Sequence, residues 1–168
     1  MTALRLRPLR ESDEAAVLAV HREMRARDGF SFLLGYVGQP FAEVVEHHRL
    51  CALGQDLPPG LVPATFLVAE VDGELVGRTS IRHELNPDLE REGGHIGYGV
   101  VPAHRGRGWA TEILRQSLIV ARALGVDRAL LTCDDDNLAS ARVIERNGGV
   151  LADRVDILGS LIRRYWID

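Results

Sequence analysis

The most informative segment of the sequence is Val100-Val-Pro-Ala-His-Arg105-Gly-Arg-Gly108-Trp-Ala-Thr111. It lies between a strand-like apolar segment and a segment, 109–124, whose apolar residues recur at helical spacing. Two glycines therefore fall where the chain must turn and begin the helix, and glycine permits positive φ and a close approach of backbone to a ligand. Because the first N–H groups of a helix are unpaired and partly positive, a pyrophosphate is a natural ligand for this turn. An ordinary strand–turn–helix junction is the alternative.

Two segments of the sequence together resemble the GNAT superfamily of N-acetyltransferases. Its pyrophosphate loop follows the pattern Arg/Gln-x-x-Gly-x-Gly/Ala, which Arg105-Gly-Arg-Gly108-Trp-Ala110 matches. About thirty residues on, Asn137-Leu-Ala-Ser140 and Glu145-Arg-Asn-Gly148-Gly149 are similar to the family's second segment, Asn-x-x-Ala/Ser…Glu-x-x-Gly-Phe. The resemblance implies a GNAT fold and transfer of an acetyl group from acetyl-CoA to a primary amine by direct attack in a ternary complex.

The resemblance also implies which residues contact the cosubstrate acetyl-CoA. Backbone groups of Val100 and Val101 would pair with the pantetheine arm like an added strand. The pyrophosphate would be held by the backbone N–H groups of Arg105, Gly106, Arg107, Gly108, Trp109 and Ala110. Asn137 and Ser140 would line the opposite side of the groove, although Asn137 is equally well suited to cap the helix that follows it.

The sequence departs from the family pattern at the acid and the base. Many members place a glutamate on the strand before the pyrophosphate loop and a tyrosine in the second segment, whereas Gly93–Tyr98 contains no carboxylate and the tyrosine position is Ile144. His95 is the first candidate base, since an imidazole titrates near neutral pH, and His83 is the second. Tyr98 is a candidate proton donor to the leaving thiolate. Each has a structural alternative. His95 would be a strand-edge residue bonded to the preceding loop, His83 would lie between Arg82 and Glu84, which form a surface ion pair, and Tyr98 would pack in the core on the face of Ile96 and Val100.

The order of predicted elements indicates one α/β domain over residues 1–168. Strands are predicted at 4–7, 65–71, 75–83, 95–101, 128–133, 150–157 and 160–167. Helices are predicted from the N-cap Ser12 to about 27, at 41–54, at 109–124, and from the N-cap Asn137 to about 146. Asp72-Gly73 is a hairpin turn, and the polar stretch 86–94 is a loop. We expect a mixed, largely antiparallel sheet of about seven strands flanked by about four helices.

Composition excludes several classes of function. The 168 residues carry 20 Lys and Arg against 24 Asp and Glu, a net charge of −4 that argues against nucleic-acid binding. The two cysteines and the absence of Cys/His clusters predict neither a disulfide framework nor a metal site, and they favour a cytoplasmic protein. No apolar stretch approaches the roughly 20 residues that span a bilayer. A homodimer is possible.

The acceptor amine is not named by the sequence. Residues 28–63 lie where the family lines its acceptor side, and they contain aromatic residues and scattered acids. Polyamine, aminoglycoside, amino acid and protein amines all stay open. The alternatives to catalysis are a GNAT-like domain that senses acyl-CoA without turnover and a nucleic-acid or nucleotide binder. The latter would use Arg105, Arg107, Arg115 and Arg122. A longer acyl donor is a third alternative.

Overall fold

The computed structural model describes residues 3–168, and it contains seven strands and five α-helices in that range. In chain order these are β1 (Arg5–Pro8), α1 (Glu14–Asp28), α2 (Phe41–Ala52), β2 (Ala64–Val71), β3 (Glu74–Arg82), α3 (Pro87–Arg91), β4 (Ile96–Val100), α4 (Trp109–Ala123), β5 (Ala129–Asp134), α5 (Leu138–Arg146), β6 (Val150–Ile157) and β7 (Ser160–Ile167). The seven predicted strands are confirmed. No helix in residues 3–168 is both long and apolar enough to cross a membrane.

The strands form two antiparallel sheets rather than one continuous sheet. The first has the order β1-β2-β3-β4 and the second the order β5-β7-β6. The hairpin between β2 and β3 turns at Asp72 and Gly73, with φ of 50° and 82°. Positive φ at both central residues is what a tight hairpin turn requires, so Asp-Gly fixes the register next to the turn. A bulge between Ala69 and Glu70 shifts the pairing by one residue along the rest of the two strands.

The first sheet is covered on both faces. On one face, α1, α2 and the loop between them pack buried apolar side chains against β2. Val17, Phe32 and Val44 are among these side chains, and they belong to the same cluster as Phe66 and Val68. On the other face, α4 packs Ile113 and Leu114 against β3 and β4. The alternation of side chains along a strand sends successive residues of β2 and β3 to these two cores. The two faces of β4 therefore meet different surroundings.

The two sheets share a hydrophobic core, and within residues 3–168 their backbones pair at one junction, from which β4 and β5 diverge. The N–H of His95 donates to the carbonyl of Leu130 (2.7 Å), and Gly94 forms an isolated bridge with Leu131. A Cβ on Gly94 would lie 2.3 Å from the Leu130 oxygen, and the residue has a φ of +61°, so only glycine fits there. Beyond this junction β4 is paired to β3 alone. The divergence leaves its outer edge open toward β5.

Two predicted boundaries differ from the structure. Ser12 lies in a 3₁₀ turn, Glu11–Asp13, and α1 begins only at Glu14. The predicted loop 86–94 contains the short helix α3, whose start is capped by Asn86: its Oδ1 accepts the N–H of Leu89 at 2.9 Å, and Pro87 occupies the first turn. This helix raises the count from the expected four to five.

Candidate active site

A cleft of about 300 Å³ opens where β4 and β5 diverge. It is lined from both faces of the first sheet and from the second sheet. The lining residues are Phe30, Leu34, Arg78, Arg82, Glu92, Gly93, Ile96, Gly97, Tyr98, Thr132, Cys133, Asp134, Asn137, Ser140 and Ile162. The cleft therefore connects the α1/α2 face of β4 with the side on which α5 begins.

Two glycines of β4 create the space on the α1/α2 face. Gly97 and Gly99 alternate with the larger residues of the strand, so that this face of β4 carries no side chains. A Cβ on Gly99 would lie 2.6 Å from the Phe30 ring. Across Gly97, the Arg78 guanidinium reaches over the strand, and its Nη1 donates to the Gly97 carbonyl at 3.1 Å. An arginine and an aromatic ring thus occupy the place where side chains of β4 would stand.

Tyr98 lines the cleft from the other face of the same strand. Its hydroxyl lies 2.9 Å from Ser140 Oγ at the start of α5. Burial, the largest cause, raises the pKa of Tyr98 to about 12, and the hydrogen bond to Ser140 opposes this only in part. The phenol is therefore protonated at neutral pH and can donate a proton in the cleft.

The turn before α4 presents unpaired backbone donors. Within residues 3–168, the N–H groups of Gly106, Arg107 and Gly108 donate to no protein acceptor. Gly106 and Gly108 have φ of +74° and +83°, and the space around each is open. Arg107 is exposed, and a depression of about 450 Å³ lies beside it at the start of α4. Free donors, a helix N-terminus and an arginine together make an anion-binding geometry.

Arg105 ties this turn to β4 and to α1 through its side chain. Its Nε donates to the Val100 carbonyl at 3.1 Å, and its Nη2 pairs with Asp28 at the end of α1 at 2.6 Å. The pairing holds the pKa of Asp28 below its usual range. The N–H of Val101 donates to Val76 of β3 at 2.9 Å, so by alternation the polar groups of Val100 face the open edge. Within residues 3–168 the Val100 N–H has no protein acceptor and is available for the predicted strand-like pairing, whereas the Val100 carbonyl accepts Arg105 Nε and the Val101 N–H is already occupied.

Asn137 and Ser140 lie together at the start of α5, on the cleft wall. Asn137 Oδ1 accepts the N–H of Ser140 at 3.1 Å, which is the capping bond that the sequence allowed as an alternative. Contact of either residue with a cosubstrate stays a prediction. Cys133 lines the same wall, and burial raises the pKa of its thiol.

Neither histidine that was predicted as a base lines the cleft. His95 is 8% exposed, and its Nδ1 accepts the N–H of Leu130 at 2.9 Å. In the neutral ring this bond uses the Nδ1 lone pair and leaves the proton on Nε2. His83 lies at the end of β3 with its Nε2 2.8 Å from Thr65 Oγ1. Burial lowers the pKa of both imidazoles. Their roles as bases stay predictions that this geometry does not favour.

Sequence reasoning did not single out Arg78 and Arg82 of β3, although both line the cleft. Arg78 is 4% exposed, and Arg82 donates to the carbonyls of Gly93 and Gly94 at 3.2 and 3.0 Å. The register set by the Asp72-Gly73 turn alone would pair Arg78 with Leu67, but a bulge between Ala69 and Glu70 places Arg78 opposite the buried Val68. A one-residue shift moves a side chain to the other face of the sheet, and no motif of the sequence marks this bulge. Within residues 3–168, no group of three or more His, Cys, Asp or Glu side chains is placed to hold a metal ion.

His48 of α2 is a second buried polar group near Arg78. Its ring stacks on Phe66 with centroids 4.3 Å apart, and its Nε2 is buried without a partner. Burial, followed by the charges of His47 and Arg78, lowers the pKa of His48 to about 4. The imidazole is therefore neutral in the folded protein at pH 5 to 7.

We expect His48 to make the protein less stable in acid. Because the unfolded chain takes up a proton near pH 6.5 and the folded one only near 4, the free energy of unfolding should fall by about 3 kcal/mol over that window. Chemical denaturation at pH 7 and pH 4 should show a correspondingly smaller loss in His48→Gln than in the wild type. His104→Gln is the control. An equal loss in the wild type and His48→Gln would contradict the burial of a neutral imidazole.

Comparison with known proteins gives one family. The family model described as an acetyltransferase (GNAT) domain matches residues 3–150. No curated protein matches the sequence significantly.

Several solved structures share the fold. Mycobacterium smegmatis RimJ in complex with CoA-disulfide has a TM-score of 0.74 at 21% identity, over 98% of this chain and 81% of its own. The Salmonella typhimurium acetyltransferase that modifies the N-terminal serine of ribosomal protein L7/L12 has a TM-score of 0.70 at 23% identity, over 100% of this chain and 97% of its own. Mutant forms of the spermidine/spermine N-acetyltransferase SpeG from Vibrio cholerae have a TM-score of 0.64 at 18% identity, over 98% of this chain and 94% of their own.

Proposed function

The chain belongs to the GNAT acetyltransferase family, whose members use acetyl-CoA, and on that premise we propose that it acetylates a primary amine by direct attack in a ternary complex. The observation that carries the proposal is the cleft, which connects the two faces of β4. A donor held on the side of α5 and an acceptor held on the side of α1 and α2 would meet at the edge of this strand. Such juxtaposition can supply much of the rate enhancement.

The residues fit a CoA donor. The free N–H groups of Gly106, Arg107 and Gly108 would hold its pyrophosphate at the start of α4. The open edge at Val100 would accept its pantetheine arm. When bound, acetyl-CoA supplies an acetyl thioester whose sulfur needs a proton as it leaves. The Tyr98 hydroxyl, on the cleft wall beside Ser140, would hold that proton.

The acceptor side supports deprotonation of the amine without a dedicated histidine. Arg78 and Arg82 both line it, and a positive charge near an ammonium group lowers the pKa of that group. More of the acceptor would then be present as the neutral nucleophile, and water could take the remaining proton. Both cysteines are free and buried, which is compatible with a reducing compartment, and we place the protein in the cytoplasm.

Calorimetric titration with acetyl-CoA tests this function, with free CoA as the product control and NADH as the control for unspecific nucleotide binding. We expect saturable acetyl-CoA binding, no NADH binding, and thermal stabilisation of about 2.7 kcal/mol at 100 times Kd. Release of the CoA thiol is then followed with amino acids, spermidine and a peptide with an N-terminal serine. Binding with no turnover of any amine would favour a sensor, and no binding would refute the proposal.

A further inference from the structure

Arg78 is a buried guanidinium without a counter-ion. Its Nη1 and Nη2 donate to the carbonyls of Gly97 and Ser31, at 3.1 and 2.8 Å, and its Nε is buried with no partner. No carboxylate in residues 3–168 pairs with it. Buried arginines are ordinarily paired with an acid or a bound anion, because an isolated charge is costly to remove from water.

The surroundings of Arg78 add positive charge and apolar surface. Arg82 lines the same cleft, and its guanidinium donates only to the carbonyls of Gly93 and Gly94. The Arg78 guanidinium lies over the Phe30 ring, 4.6 Å from the centroid. Two carboxylates, Glu92 and Asp134, also line the cleft, but both are exposed. The charge that stays uncompensated in the interior of the cleft is therefore positive.

The position of Arg78 assigns this charge to the acceptor. It projects on the α1/α2 face of the first sheet, beside Phe30, whereas Tyr98 and Ser140 line the cleft from the other side. The cleft volume of about 300 Å³ lies at the small end of ligand pockets, which suits a small acceptor. A polyamine would bring further positive charge next to two arginines.

We propose that the acceptor is a small amino acid-like molecule with both a primary amine and a carboxylate, and that Arg78, assisted by Arg82, binds the carboxylate. Arg78 is then a specificity-determining residue. Its planar guanidinium suits a carboxylate, and Nη1 and Nη2 each carry a second N–H beside the one that bonds a backbone carbonyl. The inference rests on the proposed function, since it names the acceptor of the same reaction.

The test compares each ligand with its amide. Thiol release is measured with a panel of L-amino acids and with the corresponding L-amino acid amides. Binding of N-acetyl-L-amino acids and their amides, in the presence of CoA, is measured by calorimetry. We expect the carboxylate forms to be preferred by about tenfold or more in both measurements, since a hydrogen bond to a charged group is lost in the amide. In Arg78→Gln the preference should fall to near unity, whereas the surface variant Arg49→Gln should retain it.

The outcomes separate the inference from the function on which it rests. A carboxylate preference in binding without turnover would leave the acceptor site in place and refute the transferase. Turnover with equal use of acids and amides, or an undiminished preference in Arg78→Gln, would refute the inference alone. If Arg78→Gln does not fold, the wild-type preference decides, together with Arg82→Gln, which should reduce it. No preference in the wild type overturns the proposal.

Discussion

A Gly108→Asp variant is expected to lose acetyl-CoA affinity by about 100-fold or more while it stays folded. Gly108 is the last residue before α4, and its N–H is one of the unpaired donors that would face the pyrophosphate. An aspartate there brings a carboxylate next to a doubly charged group in the one place where the helix dipole favours anions. A 100-fold loss corresponds to about 2.7 kcal/mol.

The fold should tolerate this change. No atom lies within 4 Å of a Cβ built on Gly108, so the substitution meets no steric obstacle in the protein itself. Its φ of +83° is left-handed, which costs an L-residue roughly 1–2 kcal/mol, and aspartate is among the side chains that adopt this region most readily. The loss of affinity therefore arises from charge at the ligand rather than from unfolding.

Gly159→Asp is the matched control. Gly159 has a φ of +88°, is equally free of neighbours, and lies in the hairpin between β6 and β7. It should show the same backbone strain in thermal unfolding with unchanged acetyl-CoA binding by calorimetry. Binding within twofold of the wild type in Gly108→Asp would show that the turn before α4 does not hold the pyrophosphate.

The part of the structure that the sequence predicted best is the strand–turn–helix unit around this loop. The helix expected at 109–124 is observed as Trp109–Ala123, because its apolar stripe and its glycine-marked ends agree. The GNAT resemblance carried by the same residues is confirmed by the family match over residues 3–150. The local sequence pattern and the overall fold favour the same structure in this segment, so the segment can be predicted from its sequence alone.

Short capped elements were harder to read than long periodic ones. The stretch 86–94 was interpreted as a loop because it is polar, yet Asn86 and Pro87 are a cap and a first-turn residue in the expected order. The five residues of α3 are too few to show an apolar stripe, so only the cap could reveal the helix. The early start assigned to α1 has a similar origin, since Ser12 is a favourable cap by type but lies in a 3₁₀ turn.

The cleft itself could be predicted only in part, because its lining depends on which strands diverge. The side that would hold acetyl-CoA could be predicted, because its residues belong to motifs with fixed spacing. The side that would hold the amine could not, because it depends on contacts between distant segments, such as Arg78 with Ser31. Likewise, His95 was selected for its chemistry, but its Nδ1 is bonded to the N–H of Leu130, and that residue lies 35 positions away. No periodicity in the sequence encodes such a pairing.

A Tyr98→Phe variant is expected to lower kcat by about 100-fold with little change in acetyl-CoA affinity. General acid catalysis typically contributes about 10²–10⁴ in rate. Tyr98 is a phenol in the cleft, and burial, which raises its pKa to about 12, keeps it protonated at neutral pH. Phenylalanine retains the ring that packs beside Ile96 and Val100, so the variant removes the hydroxyl and its bond to Ser140 but little apolar contact.

The effect of this variant distinguishes a proton donor from a packing residue. Tyr165→Phe is the control, because Tyr165 is a fully buried tyrosine whose hydroxyl bonds Glu145 at 3.0 Å and does not line the cleft. It should lower stability modestly and leave kcat within about twofold, since one hydrogen bond contributes about 1 kcal/mol to stability. Steady-state thiol release at saturating acetyl-CoA, with calorimetric Kd values, separates the two effects. Equal kcat in Tyr98→Phe and the wild type would contradict the role of Tyr98 as proton donor. Solvent would then protonate the departing sulfur, and the tyrosine would serve only to position Ser140 at the start of α5.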